Sequence, residues 1–331
     1  MISTDWSGAL TDARSDTGFS PTLLQAARLA MLNEAALPDV SPTTAQWFLA
    51  SMQRLVDFTG DLPVHKVSAR CIYDWHRGSL DRIEAVTANS YLRGVKTILQ
   101  RLLDQGVIQD NPARPVPFAP EPQAKPKAVP DWVYQSMREA VCEENYEVTG
   151  KCKLPGRIDE EMDRDRAILD LLWSSGCRLG GLCSIQLPHV EVWKGGGELR
   201  AAVRVIEKYS KSRYVYARGD QAESLDRWLS RRPRTDHDVL FVSLYGLTRG
   251  NPLQSRSVHQ ILRKLRGYAR IPEGIPTNAH AFRHAFAIRM LDAGHDIAAV
   301  SEFLGHTDPS FTAKVYVIRS ERELRKKYFG R

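Results

Sequence analysis

His280-Ala281-Phe282-Arg283, followed by Leu304-Gly305-His306 and then Tyr316, gathers two imidazoles, a guanidinium and a phenol near the C-terminus. That set suits attack on a phosphodiester. Such a bond resists attack because its negative charge repels nucleophiles and its leaving alkoxide is strongly basic, so catalysis must neutralise charge and deliver a proton. Upstream, Ser175-Gly176-Cys177-Arg178-Leu179 and Ile206-Glu207-Lys208-Tyr209 complete the order Arg, Lys, His-x-x-Arg, His, Tyr.

Each member has a chemical task. Arg178 and Arg283 offer planar donor forks to nonbridging oxygens and can tighten as the transition state gains charge there. His280 and Arg283 stand three residues apart on an expected helix, so their side chains share a face and can converge on one phosphate. Gly305 permits the left-handed turn that aims His306 away from its helix. A phenol with a pKa of about 10 is mostly protonated at neutral pH, so Tyr316 needs nearby positive charge and a proton acceptor. His284, four residues after His280, invites a metal-site reading, but no H-E-x-x-H signature or third ligand accompanies the pair.

In this order the motifs resemble the tyrosine recombinase, or phage integrase, family of DNA strand transferases, and the resemblance runs through most of residues 41 to 318. It implies a metal-independent enzyme without cofactor that forms a 3′-phosphotyrosyl intermediate and exchanges strands through a Holliday junction, giving DNA integration, excision or resolution. It makes Arg178, Lys208, His280, Arg283, His306 and Tyr316 the catalytic set. Tyr316 is then the nucleophile, with Tyr328 the alternative, and His280 orients the phosphate and helps take the tyrosine proton. Lys208 is the hairpin lysine that protonates the departing 5′-oxygen, a task for which Lys211 is the alternative, and His284 is a supporting residue.

The implied partners are double-stranded target sites, a homotetramer on paired sites, and an accessory directionality protein. Two other activities share the motifs: relaxation of supercoils, as in type IB topoisomerases, and DNA binding without cleavage. Two departures from the family pattern stand out. Glu207 and Tyr209 replace the glycines beside the hairpin lysine, and Gly181 stands where an acidic residue usually follows Arg178, leaving Asp165 or Asp170 as substitute carboxylates.

Composition agrees with a nucleic-acid partner without requiring one. The chain has 331 residues, a formal charge of +7 and 43% hydrophobic content, enough for two domains with separate cores. Excess lysine and arginine favour a polyanion, because neutralising phosphates releases counterions. The five cysteines are widely spaced without a C-x-x-C pair, which fits a reducing compartment. No apolar run is long enough to span a bilayer and no export segment is evident, so the expected location is cytoplasmic and nucleoid-associated, away from membranes.

The expected fold is mainly α with a small antiparallel β-sheet, a helical core-binding domain preceding a mixed α/β catalytic domain. Residues 1–19 lack periodic apolar signal and form an expected tail. Residues 20–110 form the DNA-binding domain: a short helix from Leu23, a second opened by Ser41-Pro42 and ended by Gly60, a third over 68–80, and a fourth over 87–105 capped by Gly106. On the fourth, Arg93, Lys96 and Gln100 fall away from the apolar side, where they can meet phosphates or base edges.

Seven prolines between Asn111 and Pro130 mark the linker, residues 111–130. The catalytic domain, residues 131–331, is expected to begin with a helix to about Cys142. A polar insertion over 143–163 and a helix over 164–174 follow. A β-hairpin over 198–206 and 213–217 surrounds Lys208. Helices near 221–231, 255–269, 279–293 and 296–304 complete it. Lys211 and Arg213 are DNA-binding candidates, since residues 200–234 hold ten Lys or Arg against four Asp or Glu. The tail over 321–329 is expected to dock on a neighbouring protomer or fold back on its own domain.

Overall fold

The structure, a computed structural model, describes residues 21–32, 40–121, 127–147, 157–206 and 212–305. The expected tail over 1–19, together with Lys208, Lys211, His306, Tyr316 and Tyr328, lies outside the described residues. The chain divides into two compact units, Met1–Gln123 and Ala124–Arg331. It is mainly helical with one small antiparallel sheet.

The first unit is built from helices α1 (Leu23–Leu32), α2 (Pro42–Thr59), α3 (Ala69–Ser79) and α4 (Ala85–Asp104). Local chemistry sets the ends of α2. The Ser41 side chain accepts the Thr44 N–H, Pro42 occupies the first turn, and Gly60 leaves the helix at φ +77°. Leu92, Val95, Ile98, Leu99 and Leu102 of α4 are fully buried against Met52, Leu55 and Ile72. Gly106 follows the helix at φ +72°.

The proline-rich stretch is not detached from this unit. Ala113 and Val116 join its core, and the Ala119 N–H donates to Asn89 Oδ1 at 2.9 Å. Pro117, Phe118 and Glu121 thereby run along α4.

The second unit opens with α5 (Asp131–Glu139), the short α6 (Glu143–Glu147) and α7 (Arg157–Ser175). Here the structure corrects the expected insertion: α6 and the first two turns of α7 occupy most of its described part. The sequence Arg157-Ile-Asp-Glu-Glu-Met-Asp looks like a polar loop because its acidic residues outnumber its apolar ones. Its carboxylates suit a helix N-terminus, and they find cations. Asp159 pairs with Arg231, Glu160 with Arg249, and Glu161 with Lys264 at 3.1, 2.9 and 2.7 Å.

Lys264 also bonds Asp165, which accepts from Arg164 Nη2 and Tyr146 OH at 2.7 and 2.9 Å. The interior junction of α6, α7 and α10 (Ser255–Tyr268) is thus ionic. The rest of α7 is apolar on its inner side, and Trp173 stacks on Tyr134 with centroids 4.2 Å apart.

After α8 (Leu179–Cys183) come strands β1 (Val190–Gly195), β2 (Glu198–Ile206) and β3 (Ser212–Arg218), antiparallel in that order. The hairpin over 198–218 was expected from alternation, and β1 is an addition. Gly196 and Gly197, at φ +63° and +83°, form the two-residue turn between β1 and β2, a backbone shape that matches strand twist and favours glycine at both positions. Ala201, Val203, Val205, Val215 and Ala217 face the core. Helices α9 (Asp220–Arg231), α10, α11 (Ala279–Asp292) and α12 (Ile297–Leu304) follow, and α11 carries the His280–Arg283 motif.

Candidate active site

The site begins with a turn that only glycine fits. At the end of α7 the chain reverses at Gly176, φ +56°, and a Cβ there would lie 2.9 Å from the Phe286 side chain. Two residues on, Arg178 occupies the N-cap of α8. The Asn278 side chain caps α11 by accepting the Ala281 N–H at 2.9 Å, which sets His280 and Arg283 in the first turns of that helix. Gly305 ends α12 in the left-handed conformation, φ +64°.

These elements converge on the last carbonyls of α12. Arg283, 3% exposed, donates through Nη1 to the Gly176 carbonyl at 2.8 Å and through Nη2 to the Leu304 carbonyl at 2.6 Å. Arg213, at the start of β3, bonds the Phe303 carbonyl. Arg178 reaches the Gly305 carbonyl with both terminal nitrogens at 3.4 and 3.5 Å. Three consecutive carbonyls therefore each meet a guanidinium. The last carbonyls of a helix have no partner within it and lie at its negative end, so cations belong there.

The same convergence builds positive potential. Burial, then Arg178 and Arg213, push the pKa of Arg283 down to about 9. Arg178 is lowered by burial and by Arg213, and Arg213 by burial. An anion arriving among these groups relieves their mutual repulsion, which is the electrostatic requirement for gripping a phosphate.

His280 is exposed at the edge of this cluster. Burial of part of its surroundings, with Arg283 and Arg178, lowers its pKa below the usual histidine value. It is neutral at physiological pH and therefore able to accept a proton. His284 packs edge-on against it, with centroids 4.5 Å apart. That ring is 6% exposed, and burial, then the neighbouring His280 and Arg283, push it down to about 4. His284 thus buttresses His280, and among the described residues no group of three His, Cys, Asp or Glu is placed to hold a metal ion.

Cys177 is fully buried and Cys183 is pushed up to about 11 by burial, so both thiols stay protonated. The carboxylates suggested as substitutes for the acid missing at Gly181 are engaged elsewhere. Asp170 accepts from Tyr134 and Arg138 at 2.9 and 3.2 Å, while Asp165 belongs to the ionic junction of α7. Their burial and pairing explain why neither is turned toward Arg178.

Among the sequence-selected catalytic residues, Arg178, His280 and Arg283 are brought together. The DNA-binding candidate Arg213 joins them, bonded to backbone, although the sequence marked it only by its spacing from Lys208 and Lys211 and by the basic excess of its region. Arg93 and Lys96 lie in the first unit. Arg93 pairs with Glu121 at 3.2 Å, Lys96 donates to the Arg114 carbonyl at 3.3 Å, and both flank the Phe118 ring at 5.0 and 4.7 Å. Gly176 and Phe286 were not selected at all. The glycine two residues before the arginine was the available signal.

Comparison with known proteins agrees with this geometry. The Phage integrase family model matches residues 155–323. The chain is similar to the tyrosine recombinase XerC of Bacillus subtilis (strain 168), 28% identical over 251 residues and 74% of each chain. It is similar to XerC of Pseudomonas fluorescens (strain Pf0-1), 33% identical over 167 residues, 49% of this chain and 51% of that one.

In fold it is similar to a lambda integrase dimer bound to a COC' core site, with TM-score 0.66 and 16% identity over 95% of this chain and 81% of that one. It is also similar to the XerH site-specific recombinase bound to a palindromic difH substrate, with TM-score 0.68 and 14% identity over 86% and 80%.

Proposed function

Because the chain belongs to the phage integrase family, we propose that it is a tyrosine-type site-specific DNA recombinase acting on double-stranded target sites. The observation that carries this reading is the meeting of Arg178, Arg283 and a neutral His280 at the end of α12, one residue before His306. A phosphodiester placed there finds two guanidiniums for its nonbridging oxygens.

His280 takes the phenolic proton as the Tyr316 oxygen forms a bond to phosphorus. The bond from phosphorus to the 5′-oxygen breaks, and Lys208 supplies the proton that the departing oxygen needs. General-acid help of this kind contributes about 10²–10⁴-fold. The 3′-phosphotyrosyl bond retains the free energy of the broken phosphodiester, so a 5′-hydroxyl from the partner duplex can reverse the step. Lys208, His306 and Tyr316 take their roles from the order of the family's motifs.

Exchange between two duplexes calls for protomers on paired sites, and the assembly we propose is a homotetramer, with direction set by an accessory protein. Action on chromosomal or mobile-element DNA places the chain with the nucleoid. No helix among the described residues is long and apolar enough to cross a membrane.

The test is denaturant-resistant trapping of the protein on fragmented DNA of the source organism, with the trapped ends sequenced and Tyr316→Phe run in parallel. A Tyr316-dependent adduct at recurring ends is expected. DNA binding without adduct refutes the enzymatic reading, and relaxation of supercoils without exchange between two defined sites refutes the recombinase.

A further inference from the structure

The outward face of the sheet carries a pattern that the strand-transfer chemistry does not use. Register assigns its residues without ambiguity: Trp193 stands opposite Arg200 and Arg200 opposite Arg218, Glu191 opposite Ala202 and Ala202 opposite Tyr216, Arg204 opposite Tyr214, and Ile206 opposite Ser212. Cross-strand partners share a face, and the opposite face is the buried one, holding Ala201, Val203, Val205, Val215 and Ala217. The outward rows therefore set three rings, Trp193, Tyr214 and Tyr216, beside three guanidiniums, Arg200, Arg204 and Arg218.

The rings are open to solvent: Trp193, Tyr214 and Tyr216 are 42, 52 and 59% exposed. Arg200, Arg204 and Arg218 are exposed as well. Arg200 has its Glu198 neighbour at 3.7 Å and Arg204 approaches Ser212 at 3.4 Å, while Glu191 and Glu198 are the acidic residues within the rows. The balance is positive. Arg200 directly opposite Arg218 is a like-charge pair, and of the two arginines Arg200 has the Glu198 carboxylate beside it. Strand propensity alone accounts for tyrosine and tryptophan on β-strands, but not for three arginines set among them.

Rings interleaved with cations on a sheet suit unpaired nucleotides. Each base has a π-face that stacks on an aromatic side chain, and each phosphate finds a guanidinium. A duplex hides its base faces in its own stack, so it would engage only the arginines. Tyr214 and Tyr216 are two residues apart on one strand, about 7 Å, which is the reach of one extended nucleotide. The track runs from Ile206 and Ser212, which flank the segment bearing Lys208, to Arg218, a length of about 20 Å.

We propose that this face is a binding track for single-stranded DNA, which holds the strand freed beside Lys208 during exchange. The use, though not the binding, rests on the recombinase reading above.

The experiment uses the full chain and a fluorescent twelve-nucleotide oligo(dT), followed by anisotropy, with a duplex of equal length for comparison. The wild type is expected to bind the single strand, and Tyr214→Ser with Tyr216→Ser to weaken it about tenfold or more per ring. Thermal unfolding and duplex binding should be unchanged by these substitutions. Arg200→Gln, Arg204→Gln and Arg218→Gln are each expected to reduce the salt slope by about 0.7. An oligo(dT) carrying 5-iodo-2′-deoxyuridine should photo-crosslink to the peptide containing Tyr214 and Tyr216.

Equal oligo(dT) affinity of wild type and ring variants, or crosslinks confined to other peptides, overturns the track. If the ring variants keep oligo(dT) binding but no longer assemble on duplex sites, the face is a protomer interface and the proposal is wrong. A Tyr316 adduct without oligo(dT) binding removes the track and leaves the recombinase. Oligo(dT) binding without any adduct does the reverse.

Discussion

Arg283 donates to the carbonyl of Leu304 at 2.6 Å, joining the helix that bears the His280 motif to the end of the helix that precedes His306. With its second bond to Gly176 at 2.8 Å, the same guanidinium also holds the turn that presents Arg178. A residue chosen by its chemistry is therefore also the fastener between three parts of the site.

Lysine cannot reproduce two parallel donors. Arg283→Lys is expected to lower the rate of Tyr316 adduct formation by about 10²–10³-fold. It should also lower stability by about 1–3 kcal/mol, the cost of leaving one of the buried carbonyls without its donor. Single-turnover trapping and denaturant unfolding measure the two effects, and a loss of stability with an unchanged adduct rate would confine Arg283 to architecture.

Arg213 tests whether the end of α12 must be held. Because its guanidinium bonds the Phe303 carbonyl, Arg213→Met should raise amide exchange in α12 and slow adduct formation while duplex affinity changes little. A phosphate contact predicts the opposite: a shallower salt slope for binding, by about 0.9, with α12 exchange unaltered.

The two histidines define an acid limb. His284, held down to about 4, is neutral in the folded chain, whereas the unfolded chain takes up that proton near the ordinary value of about 6.5. The unfolded state then binds more protons between those values, so stability falls as pH drops from about 6.5 toward 4. His284→Gln should flatten the melting temperature over that window in calorimetry. His280 is also lowered, so adduct formation should persist below pH 6.5 and decline only in more acid solution. A decline already complete at pH 6.5 would refute its role as proton acceptor.

Two glycines four residues apart should respond in opposite senses. Gly176→Ala puts a methyl 2.9 Å from Phe286 on a backbone at φ +56°, at a cost of about 1–3 kcal/mol. Gly180, inside α8, has open space where a Cβ would stand. Gly180→Ala should be neutral or stabilise by up to about 1 kcal/mol. Urea unfolding of the two variants settles the comparison.

Legibility in the sequence followed locality. The ends of α2 were readable because Ser41, Pro42 and Gly60 act on backbone groups a few residues away. The start of α7 was not, because its acidic side chains are satisfied by Arg231, Arg249 and Lys264, far along the chain. Strand β1 escaped because a short stretch lying half open to solvent shows weak alternation.

The residue types expected to be catalytic were visible as an ordered set, but the meeting point of Arg178, His280 and Arg283 was not. Arg178 and Gly305 are 127 residues apart and Arg213 and Phe303 are 90 apart. Only packing tells that three guanidiniums finish one helix. Arg213 shows the limit best, since a half-buried donor to backbone and a phosphate contact are written with the same letter.

The ionic junction around Lys264 gives the chain two different responses to electrolyte. Small ions screen charges that water reaches and barely touch pairs sealed in the interior. Glu161 and Asp165 are 5 and 0% exposed, so molar salt leaves the helices they join in place while it strips a polyanion from the surface. Ionic strength is therefore a reversible handle on any bound polyanion: high salt releases it from the folded protein, and refolding need not intervene before it binds again.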